Sequence, residues 1–366
     1  SDLYPFGYRD KPWTGPPIAA ADQILTYMGE FIEENDLAPL IHYNHKITKA
    51  EWSSAEKLYT VTYETPDGEH TVKARFLWMC QGYYDLDKGY TPDWEGERFD
   101  DGRPKVTDDI IERMKNVSIT QAWGVLRGKG YEHQYDGGWE HTHPGLTLVG
   151  RAVTAMYMPR RPAMRKVMEA KGIAHGCIGD QISWPIDMLV PGDVYVADTY
   201  GKVTDGPIIG DNLATAIYAN SGNGVVFDGS VRDLEGIEEM SDFACFVRGW
   251  HPSYASPTIM LLGVNTAVRI GQATVMPGDI VLGKREGIVF IPPHLADTIV
   301  KTSELVQLRD LFGKQRLREG KYTPGQIDDR WTPEMEKDFS IWLEDHIDAL
   351  PVSKGAIQDL LKERTW

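Results

Sequence analysis

The chain has 366 residues, 42% of them hydrophobic and 25% charged, which is typical of a folded protein of about two to three domains. Its net charge of −16 disfavours bulk binding to nucleic acid or to anionic membranes, and no apolar run approaches the roughly 18 residues of a membrane span. The three cysteines, Cys80, Cys177 and Cys245, form no CxxC pair, and no signal peptide is evident, so we expect a cytoplasmic protein without a disulfide framework.

The first 100 residues predict a small α+β segment. They hold 9 basic and 18 acidic residues, so more than half of the net charge lies in about a quarter of the chain. Residues 20–35 have a helical period, and residues 58–75 alternate on either side of a Pro-Asp-Gly turn, which predicts a hairpin. Residues 76–80 predict a short buried strand. A polar, turn-prone join at residues 97–104 separates this segment from the rest.

Three stretches of this segment carry a family resemblance: residues 1–8, residues 11–15 and residues 76–84. They resemble an internal part of the flavin-dependent monooxygenases, in which such a strand and its glycine lie against FAD. The resemblance covers residues 1–98. A dinucleotide fold also needs a glycine-rich turn, and the chain contains no GxGxxG and no counterpart of the family's NADPH-binding part. We therefore expect a truncated flavoprotein segment that does not bind FAD, or an accessory domain with an incidental likeness.

Residues 101–300 alternate between helical and strand patterns, which predicts an α/β domain. Helices are predicted at residues 106–116, with Thr107 as N-cap, and at residues 162–171. Strands are predicted at residues 146–158, 193–198, 279–282 and 287–291. Two of these strands follow the same Pro-Gly-Asp tripeptide, which ends at Asp193 and at Asp279 and is typical of a turn.

The last segment, residues 301–366, predicts a helical extension. Apolar residues keep a helical period after residue 296, and two further helices are predicted at residues 334–350 and 356–364. Trp331, Trp342 and Trp366 are large apolar groups in this charged region. We expect them to pack on the body of the protein or on a neighbouring subunit.

The stretch from Gly210 to Asp233 predicts a ligand site. A helix of about ten residues begins near Asp211, with Asp211 or Asn212 as cap, and a buried strand returns over residues 225–227. The helix covers roughly 15 Å and the strand roughly 20 Å, so the helix start and the residues after the strand should meet at one edge of the sheet. Ligands of α/β folds bind at this edge.

The residue types at this edge favour a divalent cation and an anionic substrate. A carboxylate pair beside Arg232 suits Mg²⁺, which uses few protein carboxylates and keeps several waters. The backbone N–H groups of Asn212 and Leu213 and the Arg232 guanidinium would hold a carboxylate, and the cation would polarise the carbonyl of a 2-oxo acid. The alternative is an ordinary surface ion pair and a simple helix cap.

Asp211, twenty intervening residues and then Arg232-Asp233 have the D-x20-R-D spacing of the RraA-like family. Residues 148–154 and the two Pro-Gly-Asp stretches are also similar to that family. The resemblance covers residues 104–300 and implies a β/β/α swivelling-type core. The family includes metal-dependent 4-hydroxy-4-methyl-2-oxoglutarate aldolases, which are similar to oxaloacetate decarboxylases, and regulators of RNase E. Its enzymes have a glycine three residues before the first aspartate, where this chain has Ile208 and places Gly210 later.

The resemblance also implies roles for single residues. Asp233 resembles the direct ligand of Mg²⁺ or Mn²⁺, Asp211 the residue that holds water on the metal, and Arg232 the group that orients the substrate and stabilises the enolate. Gly210, Asn212 and Leu213 resemble the part of the loop that binds the substrate carboxylate. The implied protein is a lyase that releases pyruvate from a 4-hydroxy-2-oxo acid or decarboxylates oxaloacetate, as a homotrimer or a dimer of trimers. A non-catalytic regulator and a flavoprotein oxidoreductase are the alternatives.

Three further groups are weaker candidates. His141 and His143 have a spacing that binds metal from one face of a strand, although glycine and proline around them favour a loop. Cys177 follows His175 closely enough for a nucleophile pair. A basic cluster is either a solvated helix face or a funnel for an anionic substrate, and it consists of Arg160, Arg161, Arg165 and Lys166.

Overall fold

The computed structural model describes residues 21–77 and 91–363, and the chain divides into two units, Ser1–Tyr83 and Tyr84–Trp366. Residues 1–20 and 78–90, with most of the stretches that resemble monooxygenases, lie outside the described residues, as does Trp366. The predicted join at residues 97–104 falls inside the second unit, where Arg98 and Pro104 form an isolated β-bridge.

Over residues 21–77 the first unit consists of a long helix and a three-stranded antiparallel sheet. These elements are α1 (Ala21–Glu34), β1 (Lys46–Ser53), β2 (Leu58–Thr65) and β3 (Gly68–Ala74). The predicted hairpin of β2 and β3 is confirmed, and its turn ends at Gly68, whose φ of +125° only glycine adopts readily. The predicted strand at residues 76–80 is wrong for Phe76 and Leu77, which lie outside any strand, and its other residues are not described.

The second unit is a mixed α/β fold, as predicted. Its helices are α2 (Asp108–Met114), α3 (Ile119–Gly128), α4 (Pro162–Ala174), α5 (Trp184–Asp187), α6 (Asp211–Ser221), α7 (Leu234–Glu238), α8 (Ala296–Arg318), α9 (Pro324–Ile327), α10 (Pro333–His346) and α11 (Lys354–Glu363). Its strands are β4 (Tyr135–Asp136), β5 (Glu140–His141), β6 (Leu148–Pro159), β7 (Asp193–Pro207), β8 (Val225–Val231), β9 (Cys245–Trp250), β10 (Ile259–Val264), β11 (Val268–Ile270), β12 (Ala273–Val275), β13 (Ile280–Lys284) and β14 (Gly287–Ile291).

One sheet of nine strands, counted over residues 91–363, organises this unit. Its order is β4-β14-β13-β6-β7-β8-β9-β5, and β10 pairs with β6. The central strands β6, β7, β8 and β9 are parallel. In β8, Val225 and Phe227 face one apolar core while Val226 faces the other, as is typical of a parallel strand buried on both faces. The carboxyl ends of β7 and β8 therefore lie side by side at one edge of the sheet.

The helical extension has a core of its own. Helix α8 packs through Ile299 and Val300 against the core that contains α2 and α3, and through Leu308 and Phe312 against α10. Trp331 and Trp342 are buried in that second cluster, so they pack within the extension. The prediction that they pack on the body of the protein or on a neighbouring subunit is wrong for these two residues. In the described ranges, no helix is both long and apolar enough to cross a membrane.

The two Pro-Gly-Asp turns place equivalent carboxylates in different surroundings. Asp193 accepts a hydrogen bond from Val190 N–H at 3.0 Å, and Asp279 accepts one from Met276 N–H at 2.8 Å. Asp193 also receives two hydrogen bonds from the buried Arg103 guanidinium, at 2.8 and 3.0 Å. Asp279 is buried and forms no ion pair with a described residue, and this burial raises its pKa to about 8.

We expect Asp279→Asn to remove part of the pH dependence of stability. Between pH 4 and pH 8 the folded chain keeps the Asp279 proton while the unfolded chain loses it, so the stability that this raised pKa provides is lost as the pH rises to about 8. The variant should therefore unfold at a higher temperature than the wild type at pH 9 and at a similar one at pH 4, with the difference growing between these values. Calorimetric melting at a series of pH values measures this.

Asp193→Asn is the matched control, because it makes the same change at the equivalent turn. It removes the more buried of the two carboxylates that pair with Arg103 and leaves Asp101 at 2.7 Å, and we expect it to lower the free energy of unfolding by about 3 kcal/mol at pH 7. Equal effects of the two substitutions on the melting temperature at pH 9 would contradict the raised pKa of Asp279.

Candidate functional site

Two neighbouring loops form the candidate site. One runs from the end of β7 to the start of α6, and the other from the end of β8 to the start of α7. The Arg232 N–H donates a hydrogen bond to Ile209 O at 3.1 Å, which ties the two loops together. The structure thus brings Asp211 and Arg232-Asp233 to one sheet edge, where the sequence predicts them.

The start of α6 differs from the prediction in two details. The N-cap is Gly210, without a side-chain cap, so Asp211 and Asn212 lie in the first turn and neither is the cap. The Asn212 N–H donates to Asp211 Oδ1 at 2.7 Å and is thus engaged, although the sequence predicts that it binds a substrate. The Leu213 N–H lies in the same turn, where no helical carbonyl precedes it. The positive end of the α6 dipole faces this loop.

Two glycines make room for the two aspartates. A Cβ at Gly210 would overlap Asp233 Oδ2 and lie 3.1 Å from Asp233 Cγ. A Cβ at Gly236, on α7, would lie 2.8 Å from both the Cβ and Oδ2 of Asp211. Gly210, just before α6, therefore faces the Asp233 carboxylate, and Gly236, on α7, faces that of Asp211, each without a side chain of its own. Gly210 thus leaves space for the Asp233 carboxylate.

Arg232 and Asp233 are adjacent in sequence and only loosely paired. Arg232 Nε lies 3.5 Å from Asp233 Oδ2, and both side chains are 42% exposed. Asp233 has left-handed backbone angles, φ 56° and ψ 47°, as it enters α7. Asp and Asn tolerate this conformation better than most residues. Both charged groups therefore remain accessible to a ligand.

A cavity of about 610 Å³ opens onto these residues, which is within the range of small-molecule sites. Its wall includes all six predicted site residues, Gly210, Asp211, Asn212, Leu213, Arg232 and Asp233. Sequence reasoning missed the rest of the wall, which is formed by Asp180, Ile182, Ser183, Pro207, Ile208, Ile209, Tyr254 and Ser256. Among the described lining residues, three are carboxylates and Arg232 is the single cation.

The weaker candidates do not join this cavity. His143 contacts the carbonyl oxygens of Phe243 and Glu238, and His141 stacks on Phe246, which indicates structural roles. His175 contacts Lys171 O through its ring. Over residues 21–77 and 91–363, no group of three or more His, Cys, Asp or Glu side chains is arranged to hold a metal ion.

Arg165, one residue of the predicted basic cluster, is neither part of a solvated helix face nor part of a funnel for an anionic substrate. This side chain is buried and donates to Glu169 at 2.6 Å, to Asp180 at 2.8 Å and to the carbonyl oxygen of Ser256. Arg160 donates to Pro257 O at 3.3 Å. Arg165 therefore supports the wall of the cavity from behind and presents no free charge to a ligand.

Together these features define an α/β protein with a candidate small-molecule site at the carboxyl ends of its parallel strands. The chain belongs to the RraA-like family, since the family model Aldolase/RraA matches residues 107–290, which are half of the chain. A similar solved structure is that of Streptomyces coelicolor RraAS2, described as an unusual member of the RNase ES inhibitor RraA protein family. Its sequence is 25% identical, the TM-score is 0.50, and the match covers 58% of this chain and 100% of that one. An uncharacterised Pseudomonas syringae protein, 23% identical with a TM-score of 0.50 over 61% of this chain and 94% of that one, shows the fold alone.

The N-terminal region has different relatives, and the predicted flavoprotein-like fusion is confirmed. The FAD-containing monooxygenase EthA of Mycolicibacterium smegmatis is 39% identical over 97 residues, which are 26% of this chain and 20% of that protein. The chain spans about a fifth of the length of the curated relatives it matches. That these relatives are FAD-containing weighs against the expectation that the segment binds no FAD.

Proposed function

We propose that this protein is a metal-dependent lyase that cleaves the C3–C4 bond of a 4-hydroxy-2-oxo acid and releases pyruvate. The observation that carries the proposal is the convergence of Asp211, Asp233 and Arg232 at a helix start in one cavity. Membership of the RraA-like family supports it, because that family includes aldolases. A homo-oligomer, trimeric or a dimer of trimers, remains part of this proposal.

The charges of the cavity fit a divalent cation. With three carboxylates and one guanidinium on the described wall, an anionic substrate would be repelled unless a cation offset the excess. Asp211 and Asp233 would hold it, since Mg²⁺ and Mn²⁺ prefer oxygen ligands and Mg²⁺ binds through one or two carboxylates. When bound, the cation would polarise the 2-oxo group of the substrate.

The residues of the chain supply the rest of the chemistry. Arg232 and the Leu213 N–H hold the substrate carboxylate and orient the 2-oxo group. Asp211 receives the proton of the 4-hydroxyl group through a water molecule. The electron pair of the C3–C4 bond passes to the 2-oxo group, an aldehyde or ketone leaves, and the resulting enolate faces Arg232 before C3 takes up a proton. Loss of CO2 from oxaloacetate gives the same enolate.

A coupled assay of pyruvate release tests the proposal. We expect purified protein to release pyruvate from 4-hydroxy-2-oxo acids with added Mg²⁺ or Mn²⁺, to lose the activity in excess EDTA, and to regain it when either metal is restored. Absence of pyruvate from every substrate in the presence of both metals would contradict the lyase.

A second function is favoured by the likeness to RraAS2, which extends over the whole of that chain. The alternative is a non-catalytic protein that binds and inhibits an RNase E-type ribonuclease. It predicts inhibition of RNA cleavage by the wild type and by Asp233→Asn alike, with no release of pyruvate by either. Measurement of both activities on the same preparations separates the two functions.

A further inference from the structure

The cavity is larger than the reacting part of the proposed substrate. Its volume of about 610 Å³ is in the range of sites that hold a whole small molecule, whereas the shared 2-oxo acid unit has only about six non-hydrogen atoms. The remaining wall carries the side chains of Asp180, Ser183, Tyr254 and Ser256 together with apolar groups. These residues should face the part of the substrate beyond C4.

The Asp180 carboxylate is a fixed negative charge in this wall. Its Oδ1 accepts a hydrogen bond from Ile182 N–H at 3.1 Å, and its Oδ2 accepts from Ser256 Oγ at 2.6 Å and from Arg165 at 2.8 Å. Burial raises the pKa of this carboxyl, but the Ser256, Ile182 and Arg165 contacts outweigh burial and hold the pKa below its usual range. The group is therefore ionised at neutral pH and retains acceptor capacity on Oδ1.

Among the described residues that line this wall in one chain, no cation is free to receive a second carboxylate. Arg165 is 8% exposed, and its donors are directed to Glu169, Asp180 and the backbone of Ser256. Arg232, the single cation among the described lining residues, lies beside Asp233 where the 2-oxo acid unit binds. Arg165 is shared between Glu169 and Asp180, so this group keeps a net charge of −1 and a distal carboxylate would be repelled by it. A distal hydroxyl would instead find hydroxyl groups and a carboxylate acceptor.

We infer that the substrate is a 4-hydroxy-2-oxo acid whose distal end is uncharged and carries hydroxyl groups, as in the 2-oxo-3-deoxy sugar acids. This inference rests on the proposed function and narrows it. For a six-carbon acid of this class, the C3–C4 bond breaks, the 4-hydroxyl oxygen becomes the carbonyl of glyceraldehyde, and C3 takes up a proton to give pyruvate. The atoms balance without an oxidant, a reductant or a co-reactant.

A panel of three acids with the same reacting unit tests the inference. The acids are 2-oxo-3-deoxygluconate with a hydroxylated end, 4-hydroxy-2-oxohexanoate with an alkyl end, and 4-hydroxy-2-oxoglutarate with a carboxylate end. We expect kcat/KM for pyruvate release by the wild type to be at least about tenfold higher for the first acid than for either of the others.

Variants of the cavity wall then test whether these residues cause the substrate preference. Asp180→Asn removes the charge and keeps the shape, and it should reduce the preference for the hydroxylated acid over 4-hydroxy-2-oxoglutarate about fivefold. Ser256→Ala should weaken the preference over the alkyl acid. Asp187→Asn, an exposed aspartate on α5 that does not line the cavity, is the control and should leave the ranking unchanged.

The outcomes distinguish this inference from the proposed function. If kcat/KM for 4-hydroxy-2-oxoglutarate or for the alkyl acid equals that for the hydroxylated acid, the inference is overturned and the lyase stands. If no acid yields pyruvate with Mg²⁺ or Mn²⁺, the lyase itself is wrong. The ranking by the wild type decides the inference even if a variant fails to fold.

Discussion

Asp233→Asn is expected to lower kcat/KM for pyruvate release about 1,000-fold, or about 4 kcal/mol of transition-state stabilisation. The substitution removes one of the two carboxylates that would hold the cation and leaves Arg232 without its neighbouring charge. Asparagine has nearly the same size and tolerates the left-handed backbone at this position, so the fold should be preserved. The loss should therefore reflect the chemistry of the site.

Metal affinity and activity are measured on the same preparations. Titration calorimetry with Mn²⁺ alone should show weaker binding by Asp233→Asn, and the coupled assay should show the loss of turnover. Glu235→Gln removes an exposed carboxylate two residues away, outside the lining of the cavity, and should change neither quantity by more than about twofold. Wild-type activity in Asp233→Asn would exclude Asp233 from the site.

Gly210→Ala should lower kcat/KM about 100-fold, which is the cost of displacing a reacting group by about 1 Å. The added Cβ would overlap Asp233 Oδ2, so the carboxylate must move out of its position. The backbone angles of Gly210, φ −119° and ψ −166°, are extended and suit alanine. The substitution should therefore change the site with little effect on the backbone.

Gly124→Ala is the matched control, since its Cβ meets nothing within 4 Å and the residue lies inside α3. It should retain activity and raise the free energy of unfolding by about 1 kcal/mol. Thermal melting and the pyruvate assay on both variants separate damage to the site from damage to the fold. Full activity of Gly210→Ala would show that the position of Asp233 is unimportant.

The core of the candidate site could be predicted from sequence because it depends on local spacing. A helix and its return strand have fixed lengths, so Asp211 and Arg232 had to reach the same sheet edge. The strands β13 and β14 could be predicted for a similar reason, because Pro-Gly and Pro-Pro pairs mark their ends. The mixed α/β class follows from the alternation of such elements.

The rest of the site depends on contacts between distant segments. Asp180 and Ser256 are 76 residues apart and meet through one hydrogen bond and a shared arginine, so no spacing reveals them. Strand β7 extends nine residues beyond its predicted end, because two register shifts interrupt its alternation after Asp198. Strand β1 is exposed over most of its length, which leaves no hydrophobic period to detect.

Helix α8 has 23 residues and is about 35 Å long, and its two halves are anchored in different apolar cores. If either core opened alone, about half of the helix would remain as an isolated segment, which is too short to be stable in water. The helix therefore couples the two cores, so that they unfold as one cooperative unit. Hydrogen exchange should show similar protection for the amides of Ile299 and Phe312, although they belong to different cores.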